Sequence, residues 1–205
     1  FRRVLFRSVV YDLHETGRVK YPLTYKEGYL TTINAQFEVG DNPNIDAGLR
    51  QYADTVFLPE LLKQVSAQGI PATRYDGEII TLSQAVTRGA MNLSNFRNYA
   101  SLMGSLTIVA ESLSDEPGNY STPNNIKERV QRQYIALAQF LSLVEHDAQK
   151  IQQLSRHARQ DWRNKPDMQI ALEFGFAPNP QTPKIDVALV EQKSGKRVIK
   201  AFPYT

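Results

Sequence analysis

Cysteine is absent from this 205-residue chain. That excludes a disulfide scaffold and any thiolate metal site. Histidine is scarce: His14, His146 and His157 are the only three, too few for a self-contained histidine-rich metal centre. No run of about 18 apolar residues occurs, so nothing reads as a membrane-spanning helix. A sustained excess of positive charge is missing as well. The formal net charge is +3, but residues 1–8, Phe-Arg-Arg-Val-Leu-Phe-Arg-Ser, read as the translation of a sequencing-adaptor oligonucleotide. Such a scar is set aside in fold reasoning. Without Arg2, Arg3 and Arg7 the 24 basic residues fall to 21, equal to the 21 acidic ones. The basic balance disappears, and no nucleic-acid partner is expected. Natural sequence is then expected from Val9 onward, beginning inside a strand.

What is present is globular in composition, with 41% hydrophobic and 22% charged residues. The length suits one domain, or one domain with a small appendage. Val9 to Leu13 is a β-rich run ending at His14. Residues 15–44, with Pro22 and Pro43, read as a long irregular connection. Residues 45–69 read as a helix ended by Gly69, with a kink or break expected at Pro59. Pro71 to Tyr75 reads as a short strand and Arg97 to Leu102 as a short helix. Leu106 to Ala110 is a second β-rich run, followed by Glu111 and a loop that contains Asp115 and Glu116. The longest expected helix covers residues 123–160, capped by Thr122. Ile126, Val130, Tyr134, Leu137, Leu141 and Val144 recur at spacings of three and four and predict its core-facing side. His146 and His157 fall outside that stripe and are expected to face solvent, while Trp162 is expected to pack the helix end. Beyond Pro166 the pattern alternates through Ile170, Leu172, Phe174 and Phe176, then Ile185, Val187 and Leu189. This predicts a small β appendage, or the start of a further domain, over residues 166–205.

Two segments share one design. Val-Val-Tyr-Asp-Leu leads into His14, and Leu-Thr-Ile-Val-Ala leads into Glu111. In α/β sheets, sites gather beyond the carboxyl ends of strands. An imidazole there can ligate a metal whose bound water becomes a nucleophile, and a carboxylate can relay the proton to a leaving amine. The plainer alternatives are a hydrogen-bonded structural histidine and a solvated glutamate.

Asp12-Leu-His-Glu15 resembles the segment that holds the third zinc ligand of the zinc carboxypeptidase family. Phe96-Arg-Asn-Tyr-Ala-Ser-Leu-Met-Gly-Ser-Leu-Thr-Ile-Val-Ala-Glu-Ser112 resembles that family's late segment, in which a helix leads into the strand bearing the catalytic glutamate. The resemblance covers residues 9–145 and implies an incomplete α/β fold: a partial mixed β-sheet flanked by helices, the C-terminal part of a catalytic domain spanning residues 9–160. It implies His14 as a zinc ligand and Glu111 as the catalytic base and acid. Tyr75 and Tyr99 are both candidates for the family's mobile-loop tyrosine, and Arg88 and Arg97 for contact with an acidic substrate group. The family's His-x-x-Glu pair and its Asn-Arg pair lie upstream of the third ligand and have no counterpart here. The implied function is hydrolysis of a C-terminal peptide bond through zinc-activated water. An amidase or deacylase of the same fold, acting on N-acyl amino acids, is the close alternative. A non-catalytic binding module is the distant one. A secreted or periplasmic location is what the family favours. With one histidine for a zinc, the chain by itself is expected to be inactive.

Overall fold

The computed structural model describes residues 7–16, 27–31, 34–77, 79, 81–114, 125–164, 169–178 and 180–205. The expected cap at Thr122, the loop residues Asp115 and Glu116, and the side chain of Trp162 lie outside what it describes.

The chain has mixed α/β architecture, with a mixed sheet flanked by helices. Four strands form this sheet: β1 (Val9–Thr16), β3 (Ala35–Val39), β4 (Ala72–Arg74) and β5 (Leu106–Leu113), in the order β1-β5-β3-β4. β1 and β5 run parallel, β3 runs antiparallel to β5, and β4 runs parallel to β3. Both site-bearing strands run further than the sequence suggested. His14 and Glu111 each stand two residues before the strand end. β2 (Tyr29–Thr31) belongs to a second sheet with β6 (Lys184–Glu191) and β7 (Arg197–Pro203), in the order β2-β6-β7.

The connection expected to be irregular over residues 15–44 therefore contains two strands, and one of them is central. β3 escaped the sequence reading because Gln36 and Glu38 break its apolar run. Glu38 is nevertheless fully buried. Its carboxylate takes two hydrogen bonds from Arg74, from Nη2 at 2.6 Å and Nε at 3.2 Å. Such a bidentate pair makes a charged side chain tolerable inside a sheet.

Residues 47–67 are helical throughout: α1 (Ala47–Tyr52), a π-helical turn (Ala53–Phe57) and α2 (Leu58–Ala67). Asp46 caps the start, its side chain accepting from the Leu49 amide at 2.9 Å. The break expected at Pro59 appears as this wider turn just upstream. Pro59 has no amide to offer Thr55, and its ring crowds that carbonyl, so the helix opens to i→i+5 bonding instead of stopping. α3 (Phe96–Leu102) is capped by Asn95.

The expected long helix is two helices, α4 (Ile126–His146) and α5 (Ala148–Asn164), joined at Asp147. The predicted stripe faces the core only in part: Leu137 and Val144 pack against it. Ile126, Val130, Tyr134 and Leu141 are all exposed, Tyr134 by 72%. The buried side is Ala136, Phe140 and Leu143. Phe140 packs against Tyr11 (ring centroids 4.7 Å apart) and Phe57 (5.7 Å). The periodicity was real but the helix is apolar on two sides, and the sheet took the side with the aromatic ring. His146 and His157 are exposed, at 82% and 63% of their side chains, and pair with Asp147 and Asp46.

The main core lies between one sheet face and these helices, joining Phe37, Val39, Leu106 and Ile108 to Phe57, Leu58, Leu61 and Phe140. Strand alternation then turns the intervening residues to the opposite face, where the cleft described below lies. A smaller core of Ile79, Val86, Val187, Leu189 and Phe202 sits under the second sheet. The segment read as alternating over residues 170–176 forms no ladder. It runs over the surface, with Leu172 88% exposed, and is fastened by Asn44 through paired bonds to Ala171 (2.8 and 2.9 Å).

Candidate active-site cleft

His14 and Glu111 are register partners on adjacent parallel strands. Neighbouring strands are about 4.8 Å apart, and partners in a parallel ladder share a face. Both side chains line one cleft of about 830 Å3, together with Asp12, Tyr75, Arg97 and Phe176. Asp12 precedes His14 by two residues and so shares its face. Its Oδ2 lies 3.1 Å from His14 Nε2. The period-two rule alone pointed to this carboxylate, and the sequence reading passed over it. On the other side of Glu111 the register partner is Gln36 of β3, giving a row His14–Glu111–Gln36 across three strands.

Arg97 enters from α3. Its side chain is almost wholly buried, and Nη2 donates to the carbonyls of Arg88 (2.9 Å) and Ala90 (3.3 Å) and to Asp41 (3.4 and 3.5 Å). Its Nε has no hydrogen-bond partner among the described residues. A guanidinium held through one nitrogen at the border of a cleft suits an oxyanion. Burial pushes the Asp41 carboxyl up to about 6, with Arg97 pulling it down and Glu38 pushing it further up.

The other expected residues divide. Tyr75 lines the cleft, its ring lying against Gly89. Tyr99 sits on α3 and is not among the cleft residues. The Arg88 guanidinium turns away into a neighbouring cavity of about 800 Å3. There it bonds Asp54 (2.9 Å) and the Tyr204 hydroxyl (2.6 Å). Phe176 borders both cavities. No sequence signal tied it to the site, because its position depends on a fold-back from the far end of the chain.

A catalytic zinc takes about three protein ligands. Among the described residues no group of three or more His, Asp or Glu side chains is arranged to hold a metal ion. The implied zinc therefore does not fit these residues taken alone: His14 offers one imidazole, and its Nε2 faces Asp12. Among the described residues, no helix is long and apolar enough to cross a membrane. No protein-family model, curated protein or solved structure matches this chain.

Proposed function

We propose that the cleft is the substrate site of a hydrolase of the zinc carboxypeptidase type, acting on an amide bond next to a free carboxylate. The observation that carries this reading is the pairing of His14 with Glu111 on adjacent strands in a cleft that also receives Arg97. Arg97, which borders the cleft, would hold the substrate carboxylate. Glu111 would accept a proton from the attacking water and return it to the leaving nitrogen, the carboxylate's usual part in amide hydrolysis. His14, held by Asp12, would supply a polar imidazole beside Glu111. Among the described residues the donors are too few for turnover to be the readout.

The test is therefore ligand binding. N-benzoylglycine carries the amide and carboxylate of a minimal substrate. Titrated into the protein and followed by amide NMR, it should shift Asp12 to His14, Glu111 and Arg97. N-benzoylglycinamide, without the carboxylate, should not, and Arg97→Met should abolish the response. If the carboxylate ligand leaves all of these amides unmoved, the cleft is not a carboxylate-substrate site and the hydrolase reading goes with it.

A further inference from the structure

One wall of the cleft is the segment Thr87 to Ala90, between β4 and α3. Part of its anchorage comes from α3, where Asn98 Nδ2 donates to Ala90 O at 2.8 Å, and part from the far end of the chain. The Val86 amide donates to Pro203 O at 2.8 Å, and the Thr205 amide donates back to Val86 O at 3.1 Å. These bonds form a parallel bridge between Val86 and Tyr204. Val86 itself is fully buried against Phe202 and its neighbours. Arg88 Nε then donates to the Tyr204 hydroxyl at 2.6 Å, with the guanidinium 5.9 Å from that ring's centroid. The backbone so fixed presents the two carbonyls, Arg88 O and Ala90 O, that receive Arg97 Nη2.

We propose that Tyr204 is a positioning residue of the cleft. Through Arg88 it sets the backbone of residues 86–90, and through those carbonyls the aim of the Arg97 guanidinium. The sheet β2-β6-β7 is thereby part of the site's construction. This inference rests on the carboxylate-site reading for its ligand consequence, but the mechanical link stands on the hydrogen bonds alone. The physical argument is one of constraint. A buried arginine carries several rotatable bonds, and its direction is fixed by whatever its donors meet. Two of the acceptors here belong to a segment with little secondary structure of its own. Arg88 is also held by Asp54 of the π-helical turn, which fixes the guanidinium from the helical side. Tyr204 closes it from the sheet side.

Tyr204→Phe keeps the ring and the Val86 bridge and removes the hydroxyl. A hydrogen bond to a charged group stabilises by enough that its loss should accelerate amide exchange at residues 88–90 about tenfold, with β5 amides unchanged as internal reference. The Arg97 Nε–H resonance should move. N-benzoylglycine affinity should fall about fivefold to tenfold, while any weak affinity for N-benzoylglycinamide stays the same. A merely structural role would lower both together. Arg88→Lys, which keeps a cation for Asp54 but loses the Nε–H donor, should reproduce the pattern. Unchanged exchange at residues 88–90 with an unmoved Arg97 resonance overturns the proposal, as does an equal loss for both ligands. If the wild-type protein binds neither ligand, the carboxylate-site reading fails, and the exchange and Arg97 signals still decide whether Tyr204 positions this wall.

Discussion

Asp76 stands between the cleft-lining residues Tyr75 and Gly77, is 7% exposed, and takes a hydrogen bond from Gln36 Nε2 at 3.3 Å. Burial pushes its carboxyl up to about 7, and the nearby Glu38 charge adds to this, while the Gln36 bond pulls the other way. In the unfolded chain the same group releases its proton near the ordinary aspartate value of about 3.9. Between those two pH values the native state binds more protons than the unfolded state, so this group's contribution to stability falls as pH rises. It is fully present below about pH 4 and lost once pH has passed about 7. Each unit of displacement corresponds to about 1.4 kcal/mol, so the loss between pH 5 and pH 8 comes to about 2–3 kcal/mol. Asp76→Asn keeps the shape and an acceptor for Gln36 but cannot ionise. The difference in stability between variant and wild type should therefore change by about 2–3 kcal/mol in the variant's favour across that interval. Other groups that titrate in the same range are common to both proteins and cancel. Urea unfolding at half-unit pH steps reads the effect. With a urea slope of roughly 2 kcal/mol/M for a chain of this size, the two midpoints should separate by about 1 M more at pH 8 than at pH 5. Midpoints that run parallel from pH 5 to pH 8 would refute the assignment of a protonated Asp76 to the native state.

The Glu38 pair gives a second expectation. Arg74→Met should leave a fully buried carboxylate without its cation and cost about 3–5 kcal/mol. Pairing the variant with Glu38→Gln should recover part of that loss in a thermal melt. The two sides of α4 give a third. Phe140→Ala should cost about 3–5 kcal/mol by emptying the contact with Tyr11 and Phe57. Val130→Gln, on the exposed side, should change stability by no more than about 0.5 kcal/mol, and a large loss there would mean that this side is covered in solution.

The elements legible in the sequence were those whose burial shows locally. β1 and β5 announce themselves as runs of valine, isoleucine and leucine, and their last residues drew attention to His14 and Glu111. That the two residues face each other is a matter of register between strands 97 positions apart, which no local pattern encodes. β3 was hidden for a related reason. Its two polar residues look like solvent contacts until Arg74 and Asp76 arrive from later in the chain. Helix periodicity in α4 gave the element but not its orientation, because the exposed row Ile126, Val130 and Tyr134 is as regular as the buried one. Arg97 and Tyr75 were named from the resemblance and both reach the cleft. Arg88 was named on the same grounds and is occupied by Asp54 and Tyr204 instead.

The pairing of Tyr29–Thr31 with Leu189–Glu191 sets the order in which this molecule can be assembled. The strand that follows His14 has no ladder partner until about 160 further residues have been made. The partners of the Val86 segment, Pro203 and Thr205, are made last of all. Closing loops of that length costs chain entropy before any contact returns it, and such non-local pairings form late. On a ribosome the four-stranded sheet and its helices can pack while the cleft still lacks its wall. The binding surface therefore becomes available only after the body of the fold is in place, and a chain interrupted before residue 184 would be folded in its core and open at its site.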